Sequence, residues 1–147
     1  MELYSDEYFM NEALKQAQIA FEEGEIPVGA VIVSKNQIIA KAYNQTERLN
    51  DVTAHAEMIA ITSAANSLGG KYLNDCRLYV TLEPCTMCGG ALFWSQIGEV
   101  FFAAEDPKRG FRQSNPNILH PKTKIHEGIL AAQAEELIHR FFEKLRK

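Results

Sequence analysis

Apolar residues in this chain recur with two different periods, and the change of period predicts the order of its elements. Near both termini they recur every three or four positions, as in an amphipathic helix with one buried face. Glycines end two of the helical stretches, at position 24 and at positions 69–70. The predicted helices cover residues 6–23, 53–68 and 85–95, and a C-terminal stretch marked by Leu130, Ala134, Leu137, Ile138, Phe141 and Leu145.

Short runs rich in β-branched and aromatic residues lie between these helices and predict strands. The first two runs are joined by a tight turn at residues 35–36, which predicts a hairpin. Residues 105–120 are polar and basic and are expected to form a loop with one short helix. The predicted strands cover residues 28–34, 38–43, 77–82, 99–103 and 123–126.

Strands that alternate with helices are typical of an α/β fold. The pattern predicts a three-layer α/β/α sandwich around a mixed central sheet of about five strands. With 147 residues and no repeat or linker, the chain is expected to form one domain over residues 1–147.

The residues with the most informative chemistry lie at the starts of two predicted helices. His55 is followed two positions later by Glu57, and Cys85 and Cys88 lie three apart directly after Pro84. One imidazole and two thiolates can fill three corners of a zinc tetrahedron and leave the fourth to water, as catalytic sites require. Glu57 would carry the proton of that water. Two converging helix N-termini would stabilise the thiolates.

Each half of this pattern has other interpretations when taken alone. Cys85 and Cys88 could form a redox pair, two buried thiols, or half of a closed structural zinc site. A closed site needs a fourth ligand, but Cys76 has no cysteine partner nearby. The remaining histidines lie far downstream, at His120, His126 and His139. The joint occurrence of both halves with Pro84 favours the catalytic interpretation.

Composition narrows the class of protein further. Hydrophobic residues make up 46% and charged residues 23%, which is ordinary for a globular protein, and no apolar run is long enough to span a membrane. Residues 1–12 are acidic where a signal peptide would be basic and then apolar, so we expect a cytoplasmic protein. The net charge is −4, yet residues 106–147 hold nine Lys and Arg against five Asp and Glu. This basic third could bind a polyanion on one face, or be an ordinary solvated surface.

Four segments, two of them around the metal motif, resemble a known family. The chain is similar to the cytidine-deaminase-like superfamily, and within it to bacterial tRNA-specific adenosine deaminases, over nearly its whole length. The segments that carry the resemblance are EIPVGAV at residues 25–31, TAHAE at residues 53–57, LYVTLEPCTMC at residues 78–88, and DPK at residues 106–108.

The resemblance implies an activity and an assembly. It implies a homodimer with one zinc ion per chain that deaminates the wobble adenosine of a tRNA anticodon loop to inosine. Zinc ligation falls to His55, Cys85 and Cys88, and proton transfer falls to Glu57.

The resemblance also implies which residues hold the RNA. Asn44 matches the family's contact to the flipped nucleoside, although an asparagine there would also suit a turn. Backbone groups of Ala56 and Pro84 would hold the edge of the base, and Asp106 and Lys108 would lie near the flanking nucleotides. Further candidate RNA contacts lie in the C-terminal third, at Arg109, Arg112, Phe142, Arg146 and Lys147.

Two features keep other functions open. Trp94 and residues 102–105 resemble free guanine deaminases, so a free-base deaminase acting on guanine is the alternative, with cytosine a weaker candidate. A non-enzyme is the third possibility, in which zinc only stabilises the fold of a partner subunit. Glu57 argues against it, because a structural zinc site has no use for a proton carrier.

Overall fold

Helices and strands alternate along residues 3–146, the part of the chain that the structure, a computed structural model, describes. The predicted short helix in the basic segment is present as a single turn. The elements in chain order are α1 (Asp6–Glu22), β1 (Gly29–Ser34), β2 (Gln37–Tyr43), α2 (Ala56–Leu68), β3 (Cys76–Leu82), α3 (Thr86–Ser95), β4 (Glu99–Ala104), α4 (Phe111–Ser114), β5 (Lys124–Glu127) and α5 (Ala131–Leu145).

The strands form one mixed sheet in the order β2-β1-β3-β4-β5. β1 pairs antiparallel with both β2 and β3, whereas β4 runs parallel to β3 and to β5. Because β3 and β4 are parallel, with Leu82 opposite Ala104, both strands end at the same edge of the sheet. The segments that leave them therefore start side by side. One carries the two cysteines, and the other carries the basic loop, residues 105–112.

Side chains of alternate strand residues pack into two separate cores, one on each face of the sheet. α1 and α5 cover one face, where Phe9 and Met10 pack with Tyr79 and Phe101. α2, α3 and α4 cover the other face, where three alanines of α2 and Leu92 of α3 pack with Phe102. The three-layer α/β/α sandwich and the mixed sheet are confirmed.

Close packing of α1 on β1 depends on a glycine. A Cβ atom at Gly29 would overlap the backbone of Ala13 and Ala17, so only glycine lets the helix approach the strand here. The start of α1 is stabilised by Ser5, whose side chain accepts the N–H of Tyr8 at 3.0 Å as a helix N-cap. None of the helices within residues 3–146 has the length and apolar character needed to cross a membrane.

The two helices that carry the metal motif begin later than predicted. α2 begins at Ala56 rather than at position 53, and α3 begins at Thr86 rather than at position 85. His55 and Cys85 are therefore N-cap residues with extended backbone, at φ −75°, ψ 153° and φ −74°, ψ 175°. Pro84 precedes the helix instead of occupying its first turn.

Candidate active site

Three potential metal ligands meet where the N-termini of α2 and α3 converge. The Nδ1 atom of His55 lies 3.6 Å from the Sγ atom of Cys85 and 3.5 Å from the Sγ atom of Cys88. The three ligand atoms all lie within 4.8 Å of one another. The structure therefore brings together the two halves of the motif, which lie 30 positions apart in the chain.

This geometry fits a tetrahedral zinc ion. With bonds of about 2.3 Å to sulfur and 2.0–2.1 Å to nitrogen, a tetrahedral site places its nitrogen and sulfur ligands about 3.6 Å apart. Within residues 3–146, His55, Cys85 and Cys88 are the only His, Cys, Asp or Glu side chains that cluster in this way. The donor set therefore leaves a fourth position for water, which excludes the closed zinc knuckle for the described part of the chain.

The surroundings of the cysteines favour thiolates. Hydrogen bonds from Cys88 and His55 lower the pKa of the Cys85 thiol to about 4, against a partial opposing effect of burial. The same contact raises the pKa of Cys88, so the pair shares one proton that a metal ion would displace. Cys85 caps α3, and the unpaired N–H groups of its first turn add positive potential at the sulfur atoms.

Glu57 lies in the first turn of α2 beside the ligands and is 4% exposed. Burial raises the pKa of its carboxyl group to about 7, despite opposing effects of its own backbone N–H and of His55. A carboxyl group that takes up and releases a proton near neutral pH is suited to general acid–base catalysis. Glu57 is not among the clustered ligands.

Asn44 follows β2 and is held beside the metal ligands through the backbone. Its N–H donates to the carbonyl of Val28 at 3.0 Å, and the N–H of Gln45 donates to the carbonyl of Ala54, the neighbour of His55, at 3.0 Å. Asn44 is only 6% exposed, and its side-chain amide has no hydrogen bond within residues 3–146. Its polar atoms nevertheless reach solvent-accessible space, since no fully buried polar side-chain atom of the described chain lacks a partner. This amide is therefore available to a ligand.

Two backbone groups named from the resemblance lie next to the metal ligands. Ala56 is the first residue of α2, so its N–H has no acceptor within the helix. The carbonyl of Pro84 accepts the N–H of Phe111 at 2.9 Å, which leaves one lone pair for a substrate. Both positions are compatible with a base edge held beside Cys85, and this role stays a prediction.

The basic loop lies close to the cysteines. Gly110 pairs with Cys85 in an isolated antiparallel bridge. Lys108 and Arg109, just before it, are exposed, and neither makes an ion pair within residues 3–146. The carboxylate of Asp106 binds the backbone of its own loop, where Oδ1 accepts the N–H groups of Lys108 at 3.1 Å and Arg109 at 3.0 Å. Asp106 thus shapes the loop, and its direct contact with RNA stays a prediction.

The other candidate RNA contacts differ in exposure and in the contacts that their side chains already make. Arg112 is committed to the carboxylates of Glu83, Glu105 and Glu127. Phe142 is 38% exposed and packs edge-on against Phe141, which is buried. Arg146 is exposed at the end of α5. Lys147 lies outside the described residues.

Two buried carboxylates near the site received no role from the sequence. Glu25 is 1% exposed and accepts the N–H groups of Glu47 at 3.0 Å and Arg48 at 2.7 Å, in the loop that follows Asn44. Glu83 is 3% exposed and binds the basic loop. In the sequence each of them is a single acidic residue beside an apolar run, and this pattern does not indicate which residues the carboxylate will bind.

Comparison with known proteins agrees with this geometry. Residues 3–104 match the family described as the cytidine and deoxycytidylate deaminase zinc-binding region. The tRNA-specific adenosine deaminase of Aquifex aeolicus (strain VF5) is 51% identical over 144 residues, which covers 95% of each chain.

Two solved structures are also similar. One comes from work on A-to-I editing by tRNA:A34 deaminases at the wobble position of transfer RNA. It is 40% identical, has a TM-score of 0.83, and the match covers 88% of this chain and 98% of that one. The guanine deaminase of Bacillus subtilis is 45% identical with a TM-score of 0.66, over 69% of this chain and 65% of the other.

Proposed function

The chain belongs to the cytidine and deoxycytidylate deaminase family, within the branch of the tRNA-specific adenosine deaminases, and we propose that it converts the wobble adenosine of a tRNA anticodon to inosine. It is a zinc-dependent hydrolase with one zinc ion per chain. The observation that carries this conclusion is the open site of one histidine and two cysteines beside a buried carboxyl group whose pKa is about 7.

Hydrolysis of the adenine amidine forms a C6–O bond from water and breaks the C6–N6 bond, with release of ammonia. His55, Cys85 and Cys88 would hold a zinc ion, which would act as a Lewis acid and lower the pKa of water toward neutrality. The reaction also needs one proton at N1 of the base and another on the departing amine.

Glu57 is the group that moves these protons. It takes the proton of the attacking water, delivers it to N1, and completes the proton transfer to the leaving nitrogen. Its burial keeps bulk water away and holds its pKa close to the working pH, so the proton is both accepted and released readily.

The base is held by groups on either side of the metal ligands. The Asn44 amide offers both a donor and an acceptor to the extruded nucleoside, and the N–H of Ala56 and the carbonyl of Pro84 offer one group each to the base edge. Such a pocket needs the target nucleotide to be splayed out of its neighbours, which an anticodon loop allows at low cost.

A polyanionic substrate fits the surroundings better than a free base does. Lys108 and Arg109 extend from a loop whose next residue, Gly110, pairs with Cys85, so two unpaired cations lie at the border of the metal site. Phosphates that flank a target nucleotide would meet such cations, whereas a free purine carries no phosphate.

Because tRNA is processed in the cytoplasm, we also propose a cytoplasmic location.

The alternative substrate is free guanine, favoured by the similarity to the guanine deaminase of Bacillus subtilis. A substrate panel scored by ammonia release distinguishes the two: an A34 anticodon stem-loop, free guanine, adenine, adenosine, cytosine and cytidine. We expect rapid release from the stem-loop alone. Rapid release from guanine, with none from RNA, would assign the chain to the free-base deaminases.

A homodimer is part of the proposal, and α3 is its expected contact surface. Trp94 is 76% exposed on this helix, Met87 is also exposed, and a Cβ atom at Gly90 would meet no atom within 4 Å. An exposed tryptophan beside an open glycine is suited to close packing against a second chain.

Sedimentation velocity tests this assembly. The wild-type protein should sediment as a dimer, and Trp94→Arg should shift it toward the monomer because a charge is placed in the contact. Lys71→Ala, at an exposed lysine outside α3, is the control and should leave the dimer intact. A dimer that survives Trp94→Arg would place the interface elsewhere.

A further inference from the structure

Glu83 holds both ends of the basic loop. Its side chain is nearly buried, and all of its hydrogen-bond donors come from residues 106 and 112. The N–H of Asp106 donates to Oε1 at 3.1 Å, and the N–H of Arg112 donates to Oε2 at 3.2 Å. The Arg112 guanidinium adds two bonds, from Nε at 3.2 Å and from Nη2 at 3.3 Å.

Displacement of the basic loop would leave the buried carboxylate of Glu83 without a partner. A buried carboxylate is tolerated only when it is paired and hydrogen-bonded, and every partner of Glu83 belongs to the loop. Arg112 is held in turn by Glu105 and Glu127 on its exposed side. Movement of the loop would leave Glu83 buried and unpaired beside Pro84.

The middle of the loop is fitted to the same carboxylate. A Cβ atom at Gly110 would overlap the carboxyl atoms of Glu83, so a larger residue here would force that carboxylate away from its present position. On its other side Gly110 pairs with Cys85, and the next residue, Phe111, is fully buried and donates to the carbonyl of Pro84. These contacts fix the position of the basic loop relative to Cys85.

Between these anchors, residues 106–109 form a closed turn. Oδ1 of Asp106 accepts two N–H groups within the turn, and its carbonyl accepts the N–H of Gly110 at 2.9 Å. The two residues at the tip, Lys108 and Arg109, carry the unpaired cations. A rigid turn anchored at both ends places these cations at a fixed position from the metal ligands.

We propose that Glu83 is a positioning residue that fixes the turn at residues 106–109 relative to the metal ligands, so that Lys108 and Arg109 meet the phosphates that flank the target nucleotide. This inference rests on the proposed function for the identity of the substrate. Glu83 is not among the residues assigned to hold the base or to transfer protons, so its effect passes through the two cations.

The test is a double-mutant cycle on the A34 stem-loop. Glu83→Gln keeps the shape of the side chain but replaces one acceptor with a donor. It should raise KM about tenfold and lower the salt dependence of RNA affinity, while kcat changes less than about threefold. Lys108→Ala with Arg109→Ala should raise KM to a similar extent. The triple variant should be no worse than the Lys108/Arg109 double variant, because the cations no longer exist to be positioned.

Controls separate positioning from general damage. Glu105→Gln removes an exposed partner of the same Arg112 and should leave KM within about twofold, as expected for a surface ion pair. Zinc content should stay at one ion per chain in every variant. If Glu83→Gln fails to fold, Arg112→Lys, which loses the forked donor set, should give the same rise in KM.

The outcomes are distinct. Losses that multiply in the triple variant, or a fall in kcat or zinc content, would overturn the positioning role. Stem-loop affinity is also measured in a Glu57→Ala background, where turnover should be too slow to affect the measurement. If the wild type deaminates only guanine and the stem-loop still binds in a manner that depends on Glu83, the proposed function fails and this inference stands. If RNA is deaminated and Glu83→Gln leaves KM and affinity unchanged, the proposed function stands and this inference fails.

Discussion

Replacing Glu57 with alanine should lower the rate of deamination by about 10³-fold or more, because the proton carrier for both proton transfers is lost. Zinc content should remain at one ion per chain, since Glu57 is not one of the three clustered ligands. The fold should also persist, because the substitution removes a buried carboxyl group and leaves no buried charge without a partner. The measurements are single-turnover kinetics on the stem-loop and zinc by mass spectrometry.

The chain offers a matched control for this variant. Glu12 is another nearly buried carboxylate, on α1 at the opposite face of the sheet, where it pairs with Lys15 and Lys41. Glu12→Ala should cost some stability and leave turnover within about twofold, since the site is remote. Near-normal turnover by Glu57→Ala would contradict the assigned mechanism.

Replacing Cys85 with alanine should abolish both zinc binding and activity. A site of three protein ligands that loses one thiolate retains too few strong donors, so bound zinc should fall below about 0.1 ion per chain after dialysis. The melting temperature should fall as well, because a ligand that binds only the folded state stabilises it. Chelation of the wild-type protein should reproduce both effects.

Cys76 is the matched control for the cysteine variant. It is 2% exposed at the start of β3 and lies outside the metal cluster. Cys76→Ala should cost about 1 kcal/mol of stability through a small cavity and leave zinc content unchanged. Full zinc occupancy in Cys85→Ala would show that this residue is not a ligand.

The cluster of candidate metal ligands was predictable from sequence because each half of the motif is local. His55 and Glu57 lie two apart and Cys85 and Cys88 lie three apart, so spacing alone indicates which side chains share a helix start. The helix starts themselves were predicted a few residues early for α2. Asp51 accepts the N–H and the hydroxyl of Thr53 at 2.8 and 2.7 Å, so Thr53 belongs to a turn that precedes the helix rather than to its cap.

The buried carboxylates that hold the loops around the site were not predictable in the same way. Glu83 and its partners lie 23 and 29 positions apart, and Glu25 and its partners lie 22 and 23 positions apart. A pattern of polar and apolar residues specifies which positions are buried, but it does not pair distant positions. The parallel pairing of β3 and β4 brings the basic loop to Glu83, and that pairing is a property of the whole sheet.

The most direct test of the central claim is the product at a single nucleotide. The wild-type protein is incubated in H₂¹⁸O with an A34 stem-loop and with a matched stem-loop that carries its unpaired adenosine at another loop position. Mass spectrometry of the digested RNA should show inosine at position 34 alone, with one ¹⁸O atom in each, because hydrolysis takes the C6 oxygen from water. Unchanged adenosine at position 34, in a protein that carries zinc and deaminates free guanine, would contradict the account.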